Sequence, residues 1–151
     1  MTQRITPAYI PEHNVIAERA NRTIMEMVRC MLFYSGSGKE FWGFAVLTAV
    51  HIVNRLPSSS RENKTLFESW FGHPPSIGHL RVFGCIAYRH IPSANRRKVD
   101  PRGQRCRIIG YKEERGSRVY RVYNESRKQV LITRDIVFDE TTIMKNTSQA
   151  G

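Results

Sequence analysis

Residues 105–139 read RCRIIGYKEERGSRVYRVYNESRKQVLITRDIVFD. Short runs rich in Val, Ile, Tyr and Phe alternate here with Gly, Asn and charged residues, a pattern typical of strands joined by tight turns. With one more run just upstream, the sequence predicts five short strands: Leu80–Tyr88, Arg105–Lys112, Ser117–Asn124, Gln129–Thr133 and Ile136–Asp139. The polar link at residues 123–127 predicts a hairpin turn between the third and fourth strands.

Five short strands are too few for a sandwich, and their number and length predict a small β-barrel of the SH3-like type. The residues before them predict helices. Asn14 can cap a first helix that ends near Gly36. A second helix, Lys39–Asn54, follows a capping-box pattern that starts at Ser37, and its apolar composition predicts that it is largely buried. A third, short helix begins at a Thr65 capping box and ends at Gly72. The predicted fold class is α+β.

The charge distribution supports a division of the chain at Pro74. The 151 residues carry 24 Lys and Arg against 13 Asp and Glu, a net charge of +11. Residues 1–74 hold 8 basic and 6 acidic residues, a balance of +2, whereas residues 75–151 hold 16 and 7, a balance of +9. We therefore predict a helical unit at residues 1–74, a strand unit at 75–140 and a polar tail at 141–151. Such a basic unit predicts a polyanionic partner.

Several classes of protein are excluded by what the sequence lacks. No apolar run is long enough to span a membrane, and the first residues do not form a secretory signal, so we expect an intracellular protein without a membrane partner. Three cysteines without a CxxC pair favour neither a disulfide framework nor a zinc module. The five histidines lack metal-ligand spacing, and no glycine-rich nucleotide motif occurs.

The basic residues allow two interpretations. One is a solvated charged surface, and the other is contact with nucleic-acid phosphates, which a small basic barrel without an acidic run favours. The densest cluster comprises Arg96, Arg97, Lys98, Arg102, Arg105 and Arg107. The tyrosines of the strands are interpreted as core residues rather than base-stacking platforms. By spacing alone, Glu18 and Arg22 are an ordinary i,i+4 pair on a solvated helix face.

A series of motifs resembles the integrases of copia-type retrotransposons. The run from Thr6 to Thr23 is similar to the pattern TxxYTPxxNGVAERxNRT of that family. Further similar motifs follow in the same order: Phe41-Trp42, Ala49-Val50, Asn54 to Pro57, His79 to Cys85, Gly110-Tyr111, Tyr120 to Asn124 and Arg134 to Glu140. The resemblance implies a region of a Gag-Pol polyprotein that contains the C-terminal helices of an RNase H-like catalytic core, followed by an SH3-like domain.

The resemblance also implies roles for particular residues. Glu18 matches the third carboxylate of the Asp-Asp-Glu triad that holds two Mg²⁺ or Mn²⁺ ions in this family, and Arg22 is then placed to meet a DNA phosphate. The parent would be a metal-dependent DNA strand-transferase. The three aspartates of this chain, Asp100, Asp135 and Asp139, all follow Glu18, whereas the family's two precede it. We therefore expect the chain alone to hold no cofactor and to be inactive in joining DNA.

The implied partners are the DNA ends of the element and the target DNA, with RNA as a further candidate, and the resemblance implies self-association of the parent and a nuclear location. An alternative of a different class is a decayed or co-opted copy that acts as a protein-interaction module. In that case the barrel would bind another protein, and the basic surface would keep the protein soluble.

Overall fold

The computed structural model describes residues 11–95, 97–99, 102–114 and 117–141. The elements in chain order are α1 (Pro11–Ser35), α2 (Trp42–Val53), β1 (Pro57–Ser58), β2 (Lys64–Thr65), α3 (Leu66–Phe71), β3 (Ile86–His90), β4 (Gly103–Glu114), β5 (Ser117–Asn124), β6 (Gln129–Thr133) and β7 (Ile136–Asp139). Short 3₁₀ segments lie at Lys39–Phe41, Ser59–Arg61 and Ser93–Asn95. Helices followed by a sheet confirm the predicted α+β class. The predicted tail beyond residue 141 lies outside the described residues.

The ends of the helices follow local chemistry, with two corrections. Helix α1 begins at Pro11 and not at the predicted Asn14 cap. Proline fits the first turn because backbone N–H groups there have no hydrogen-bond partner within the helix, and proline has no N–H. The predicted capping box at Ser37 is wrong, since Gly38 occupies the N-cap without a side-chain hydrogen bond. The third helix has the predicted cap, in which the backbone N–H of Glu68 donates to Oγ1 of Thr65 at 3.0 Å.

Helix α2 is less buried than its apolar sequence predicts. Its fully buried residues are Ala45, Thr48 and Ala49, whereas Trp42 and Leu47 remain exposed. Only one face of α2 packs against α1 and β4, and the small residues on that face allow close approach of the backbones. The other apolar face is open within the described part of the chain.

The five-stranded sheet has the order β6-β5-β4-β3-β7, with all neighbours antiparallel. Strands β5, β6 and β7 have the predicted limits, but the first strand begins at Ile86 and not at Leu80. The chain is still turning at Gly84, which has a φ of +76°, a conformation that favours glycine. The predicted closed barrel is wrong for the described residues, because β7 pairs with β3 and leaves β6 and β7 as the two edges of an open sheet.

Two hydrophobic clusters lie on opposite faces of β4. One belongs to the sheet itself and contains Cys85, Ala87, Cys106, Ile108 and Val122. The other joins the helices to the sheet and contains Val28, Ala45, Ala49, Phe83 and Ile109. Because neighbouring strand residues point to opposite faces, Ile108 and Ile109 serve different clusters. The predicted division at Pro74 stays a prediction, and the second cluster is a core shared across it.

Close packing at one point fixes α1 on the sheet. A Cβ added at Gly84 would clash with the side chain of Ser35 at the end of α1. The backbone N–H of Gly84 donates to the carbonyl of Ile108 at 2.7 Å, which ties this turn to β4. No described helix has the length and apolarity needed to cross a membrane.

Candidate nucleic-acid interface

An exposed aromatic side chain lies on the outer face of the sheet, the face turned away from the sheet's own core. Tyr88 on β3 is 42% exposed, which departs from the prediction that the tyrosines belong to the core. It lies directly opposite Arg105 on β4 and Val137 on β7. Because residues opposite each other point to the same face of a sheet, the ring of Tyr88 is flanked by a guanidinium on one side.

A groove of about 510 Å³ opens beside this tyrosine, and we call it the Tyr88 groove. Its lining residues are Tyr88, His90, Arg102, Gly103, Arg134, Asp135, Ile136 and Val137. Two backbone hydrogen bonds build it: the N–H of His90 donates to the carbonyl of Asp135, and the N–H of Ile91 donates to the carbonyl of Arg102, both at 3.1 Å. These bonds bring the start of β4 next to the turn before β7.

The chemistry of the Tyr88 groove suits an anionic polymer. Arg102 and Arg134 are both exposed, and Arg105 lies opposite Tyr88 on the same face of the sheet. Guanidinium groups pair with phosphate oxygens, and an exposed aromatic ring offers a surface for a sugar or base. Asp135 is the acidic residue among those that line the groove. The basic cluster of the sequence predicts Arg102 and Arg105 as contact residues but does not include Arg134, which only the β3–β7 pairing brings near them.

Arg105 and Arg107 have different environments although both lie on β4. The Nε of Arg107 lies 2.6 Å from Oε1 of Glu125, and its Nη1 donates to the carbonyl of Ser35 at 2.8 Å. Its side chain is only 13% exposed. The Nη1 of Arg105 lies 3.5 Å from Oε2 of the same glutamate and its side chain is half exposed. Arg107 therefore joins the end of α1 to the sheet, while Arg105 faces outward.

The remaining predicted cations lie just before β4. Arg97 and Lys98 are exposed in the short described segment 97–99. Arg96 lies outside the described residues, so the structure gives no account of it. Their predicted role in phosphate contact stays a prediction.

Glu18 and Arg22 both lie in the N-terminal half of α1, and both are exposed. Glu18 is two turns into the helix, because α1 begins earlier than predicted. Across the described ranges, no group of three or more His, Cys, Asp or Glu side chains is close enough to hold a metal ion. The described residues therefore do not fit a two-metal site, and the role of Glu18 stays a prediction.

A second cluster joins α2, the linker before β3, and β4. Nε2 of His51 lies 2.8 Å from Nε2 of His79, and the ring of His51 stacks on Tyr111 with centroids 4.7 Å apart. Burial, with the neighbouring Arg55, lowers the pKa of His51 to about 4. Burial also lowers the pKa of His79, whose Nδ1 has no hydrogen-bond partner in the described part of the chain. The spacing of the five histidines predicts no metal site, and the separation of His51 and His79 along the chain carries no signal that would pair them.

The other strand tyrosines are internal. The hydroxyl of Tyr111 donates to the carbonyl of Arg81, and the hydroxyl of Tyr120 donates to the carbonyl of His79, each at 2.9 Å. The ring of Tyr123 packs edge-on against Phe41 at 4.9 Å. Among the strand tyrosines, Tyr88 is therefore the exposed one, and arginines lie beside it on the sheet.

Comparisons with known proteins identify the relatives of this chain. Residues 85–151 match the family described as the retroviral polymerase SH3-like domain. The chain is 41% identical over 133 residues to the retrovirus-related Pol polyprotein from transposon TNT 1-94 of Nicotiana tabacum. The aligned residues cover 88% of this chain and 10% of that protein. It is 31% identical over 146 residues to the corresponding polyprotein from transposon RE2 of Arabidopsis thaliana, covering 97% of this chain and 10% of that protein.

A shorter relative covers a larger share of its own length. An uncharacterised mitochondrial protein of Arabidopsis thaliana is 41% identical over 97 residues, which cover 64% of this chain and 73% of that protein. No solved structure matches the chain significantly. The chain spans about a tenth of the length of the two polyproteins. From these matches and the SH3-like region, the chain belongs to the family of retrovirus-related Pol polyproteins of copia-type transposons, in the integrase region.

Proposed function

We propose that the sheet region binds duplex DNA through its phosphate backbone, with the Tyr88 groove at the centre of the contact. The observation that carries this proposal is the convergence of Arg102, Arg105 and Arg134 around an exposed tyrosine. The excess of positive charge in residues 75–151 supports the same partner, because phosphate contacts dominate the affinity of basic proteins for DNA.

The proposed contact positions DNA without reading its sequence. Guanidinium groups on a sheet face can pair with phosphates along a DNA groove. In this arrangement, no helix or β-ribbon of the described residues would enter a DNA groove to contact the edges of the bases. Arg107 contributes mainly by holding α1 against β4, since its donors already serve Glu125 and Ser35. Arg97 and Lys98 would extend the contact beyond the groove, as would Arg96.

A pair of charge-matched variants tests the proposal. One carries Arg102→Ala, Arg105→Ala and Arg134→Ala, and the other carries Arg29→Ala, Arg61→Ala and Lys64→Ala, which removes the same charge from exposed positions of the helical region. Fluorescence anisotropy with two duplexes of unrelated sequence measures the affinity. We expect the sheet variant to lose at least tenfold on both duplexes and the helical variant to stay near the wild type. Equal losses in the two variants would reduce the effect to net charge and contradict the proposal.

We further propose that, in the whole polyprotein, this region completes an RNase H-like integrase core and then continues into the SH3-like domain. The support is the resemblance of the motifs from Thr6 onward and the family to which the chain belongs. Glu18 would then be the third carboxylate for Mg²⁺ or Mn²⁺, and Arg22 would meet a DNA phosphate. Self-association, RNA as a second ligand and a nuclear location are part of the same proposal. The chain alone would not join DNA ends.

Supplying a relative's upstream segment, with its two aspartates, tests the role of Glu18. In a strand-transfer assay, Glu18→Gln should abolish joining by the extended protein while duplex binding is retained. Glu26→Gln, another exposed acid on α1, is the matched control and should have little effect. If both substitutions leave joining unchanged in an active protein, the carboxylate assignment is wrong. Metal-dependent joining by the unextended chain would contradict the proposed inactivity.

A second candidate function, protein contact, is favoured by the exposed apolar side chains of the helices. Ile16, in the N-terminal half of α1, is 79% exposed, and Phe33, Trp42 and Leu47 are exposed as well. Exposed apolar patches on helices are typical of surfaces that contact other proteins or domains. On this account the helices, and not the sheet, would form the contact, and the DNA-binding proposal for the sheet is unaffected.

A further inference from the structure

A concave site of about 380 Å³ lies between α2, α3 and β4, away from the Tyr88 groove. Its walls are formed mainly by Asn54, Arg55, Phe67, Trp70, Phe71 and Glu113, and we call it the Arg55 pocket. This volume is within the range of pockets that bind small molecules. The DNA contact proposed above uses none of these residues.

A buried cation lies in the wall of this pocket. The side chain of Arg55 is only 9% exposed, and its Nη1 donates to the carbonyl of His51 at 3.0 Å. The nearest carboxylate oxygen, Oε1 of Glu113, lies 3.7 Å from Nη2, too far for a hydrogen bond, and the glutamate side chain is largely exposed. A guanidinium has five donors, so its capacity is not filled by these two contacts.

The charge of Arg55 is incompletely compensated at this site. Burial lowers the pKa of the guanidinium, with Arg118 acting in the same direction and Glu113 opposing it. The guanidinium lies over the ring of Phe67 at 5.0 Å from its centroid, which adds a cation–π contact. A buried cation is stabilised when a further anion pairs with it, and the open volume in front of Arg55 can hold one.

Another part of the pocket lining is aromatic and open to solvent. Trp70 is 77% exposed and Phe71 is exposed beside it, while the ring of Phe71 packs at 4.5 Å from that of Phe67. An indole held on a helix with so much of its face free is a stacking surface for a flat ring. The pocket therefore combines one anion-binding group with one aromatic platform.

We propose that the Arg55 pocket binds one unpaired nucleotide, with the phosphate on Arg55 and the base against Trp70. The proposal rests on the proposed function in so far as nucleic acid is the ligand of this protein. A single nucleotide carries one backbone phosphate and one flat base, which matches one buried guanidinium beside one exposed indole. Asn54 and Glu113 also line the pocket, and their side-chain oxygens are the kind of acceptor that pairs with the exocyclic amine of a base.

Isothermal titration calorimetry of the whole chain with four probes tests this assignment: dAMP, deoxyadenosine, inorganic phosphate and an Asp-Phe dipeptide. We expect dAMP to bind, and each of the other three to bind at least tenfold more weakly, because none offers both a phosphate and a base. Trp70→Ala should weaken dAMP binding about tenfold, and Trp70→Phe should restore most of it. Trp42→Ala removes an exposed tryptophan outside the pocket and should leave dAMP binding unchanged.

The proposal is overturned if phosphate alone binds as tightly as dAMP, if Trp70→Ala binds dAMP like the wild type, or if the dipeptide binds more tightly than dAMP. Thermal unfolding of each variant checks its fold, and Trp70 is exposed enough for its removal to be tolerated. Duplex affinity measured on the same proteins separates this proposal from the DNA-binding one. Trp70→Ala should retain duplex binding, and the Arg102, Arg105 and Arg134 variant should retain dAMP binding.

Discussion

The helical and sheet regions of this protein bury their apolar residues in different ways. The sheet, β3 to β7, has a core of its own around Ile108 and Val122, and its outer face carries arginines. The helices share their core with the sheet, through Val28 and Ile109, and leave residues such as Ile16 exposed. The sheet thus resembles a self-supporting unit with a polar surface, while the helices depend on a neighbour for their burial.

The electrostatic difference follows the same division. Residues 75–151 carry a balance of +9 and residues 1–74 a balance of +2. The apolar surface of the helices suits contact with protein, and the charged surface of the sheet suits contact with nucleic acid. One polypeptide thus offers two kinds of surface, and Arg107 and Gly84 hold them together at Ser35.

The largest expected effect is on the free energy of unfolding, when either of two adjacent and equally buried isoleucines is truncated. One belongs to each core, so the pair distinguishes the two cores. Ile108→Ala opens a cavity in the sheet's own core, and Ile109→Ala opens one in the shared core. Each should cost about 2–5 kcal/mol of unfolding free energy, measured by urea denaturation. Hydrogen exchange separates them: Ile109→Ala should expose amides of α2 while β5 and β6 stay protected, and Ile108→Ala should loosen both regions.

If Ile109→Ala lowers protection in β5 and β6 as much as in α2, the two regions unfold together. The proposed independence of the sheet would then be wrong.

A matched pair of glycines tests the contact between α1 and the sheet. Gly84 and Gly72 have nearly the same φ, +76° and +75°, but a Cβ meets Ser35 at Gly84 and open space at Gly72. Gly84→Ala should cost about 3 kcal/mol, from backbone strain and overpacking, and Gly72→Ala about 1 kcal/mol from strain alone. Equal losses in thermal unfolding would show that α1 does not rest firmly on this turn.

The pair of turns also indicates how far sequence could predict this fold. The limits of β5, β6 and β7 were predictable because alternation and turn residues mark both ends of each strand. The predicted start of the first strand at Leu80 was wrong, because the apolar residues before Ile86 serve another purpose: Phe83 and Cys85 enter two cores while the chain turns. Barrel closure was wrong because strand pattern does not specify which strand β7 joins.

The candidate interface was predictable in charge but not in geometry. Arg102 and Arg105 belong to a dense basic stretch that sequence alone identifies. Arg134 and the exposure of Tyr88 depend on the register in which Tyr88 pairs with Arg105 and Val137. The internal role of Arg107 depends on where α1 ends, since its donor serves the carbonyl of Ser35. Such tertiary contacts leave no local pattern in the sequence.

The next prediction concerns pH, since His51 and His79 join α2 to the linker before the sheet. Their folded pKa values are lowered, that of His51 to about 4 from the ordinary value of 6.5. The unfolded chain therefore binds protons that the folded chain does not, and stability should fall as pH drops from about 6.5 to about 4, by on the order of 2 kcal/mol. Above pH 6.5 this contribution should be constant.

Urea denaturation between pH 4 and 8 measures this dependence. His51→Gln should flatten it, whereas His73→Gln, at an exposed position outside the pair, should not. A wild-type profile without a decline below pH 6.5 would contradict the assignment of this pair as buried and neutral.

A smaller effect distinguishes two arginines of β4 that share Glu125. Arg107→Lys loses the planar group that reaches both Ser35 and Glu125, and should cost about 1–2 kcal/mol with faster exchange in the last turn of α1. Arg105→Lys keeps an exposed charge and should change stability by less than about 0.5 kcal/mol. If the two substitutions cost the same, Arg107 does not join the regions.

The central claim, that the Tyr88 groove binds DNA phosphates, is tested most directly by the dependence of duplex affinity on salt concentration. With about six phosphate contacts, log K for the wild type should fall with log salt at a slope of roughly −5. Removing Arg102, Arg105 and Arg134 should make the slope shallower by about 3, whereas removing Arg29, Arg61 and Lys64 should leave it near the wild-type value. Slopes that change equally in the two variants, or an affinity that does not respond to salt, would contradict the account.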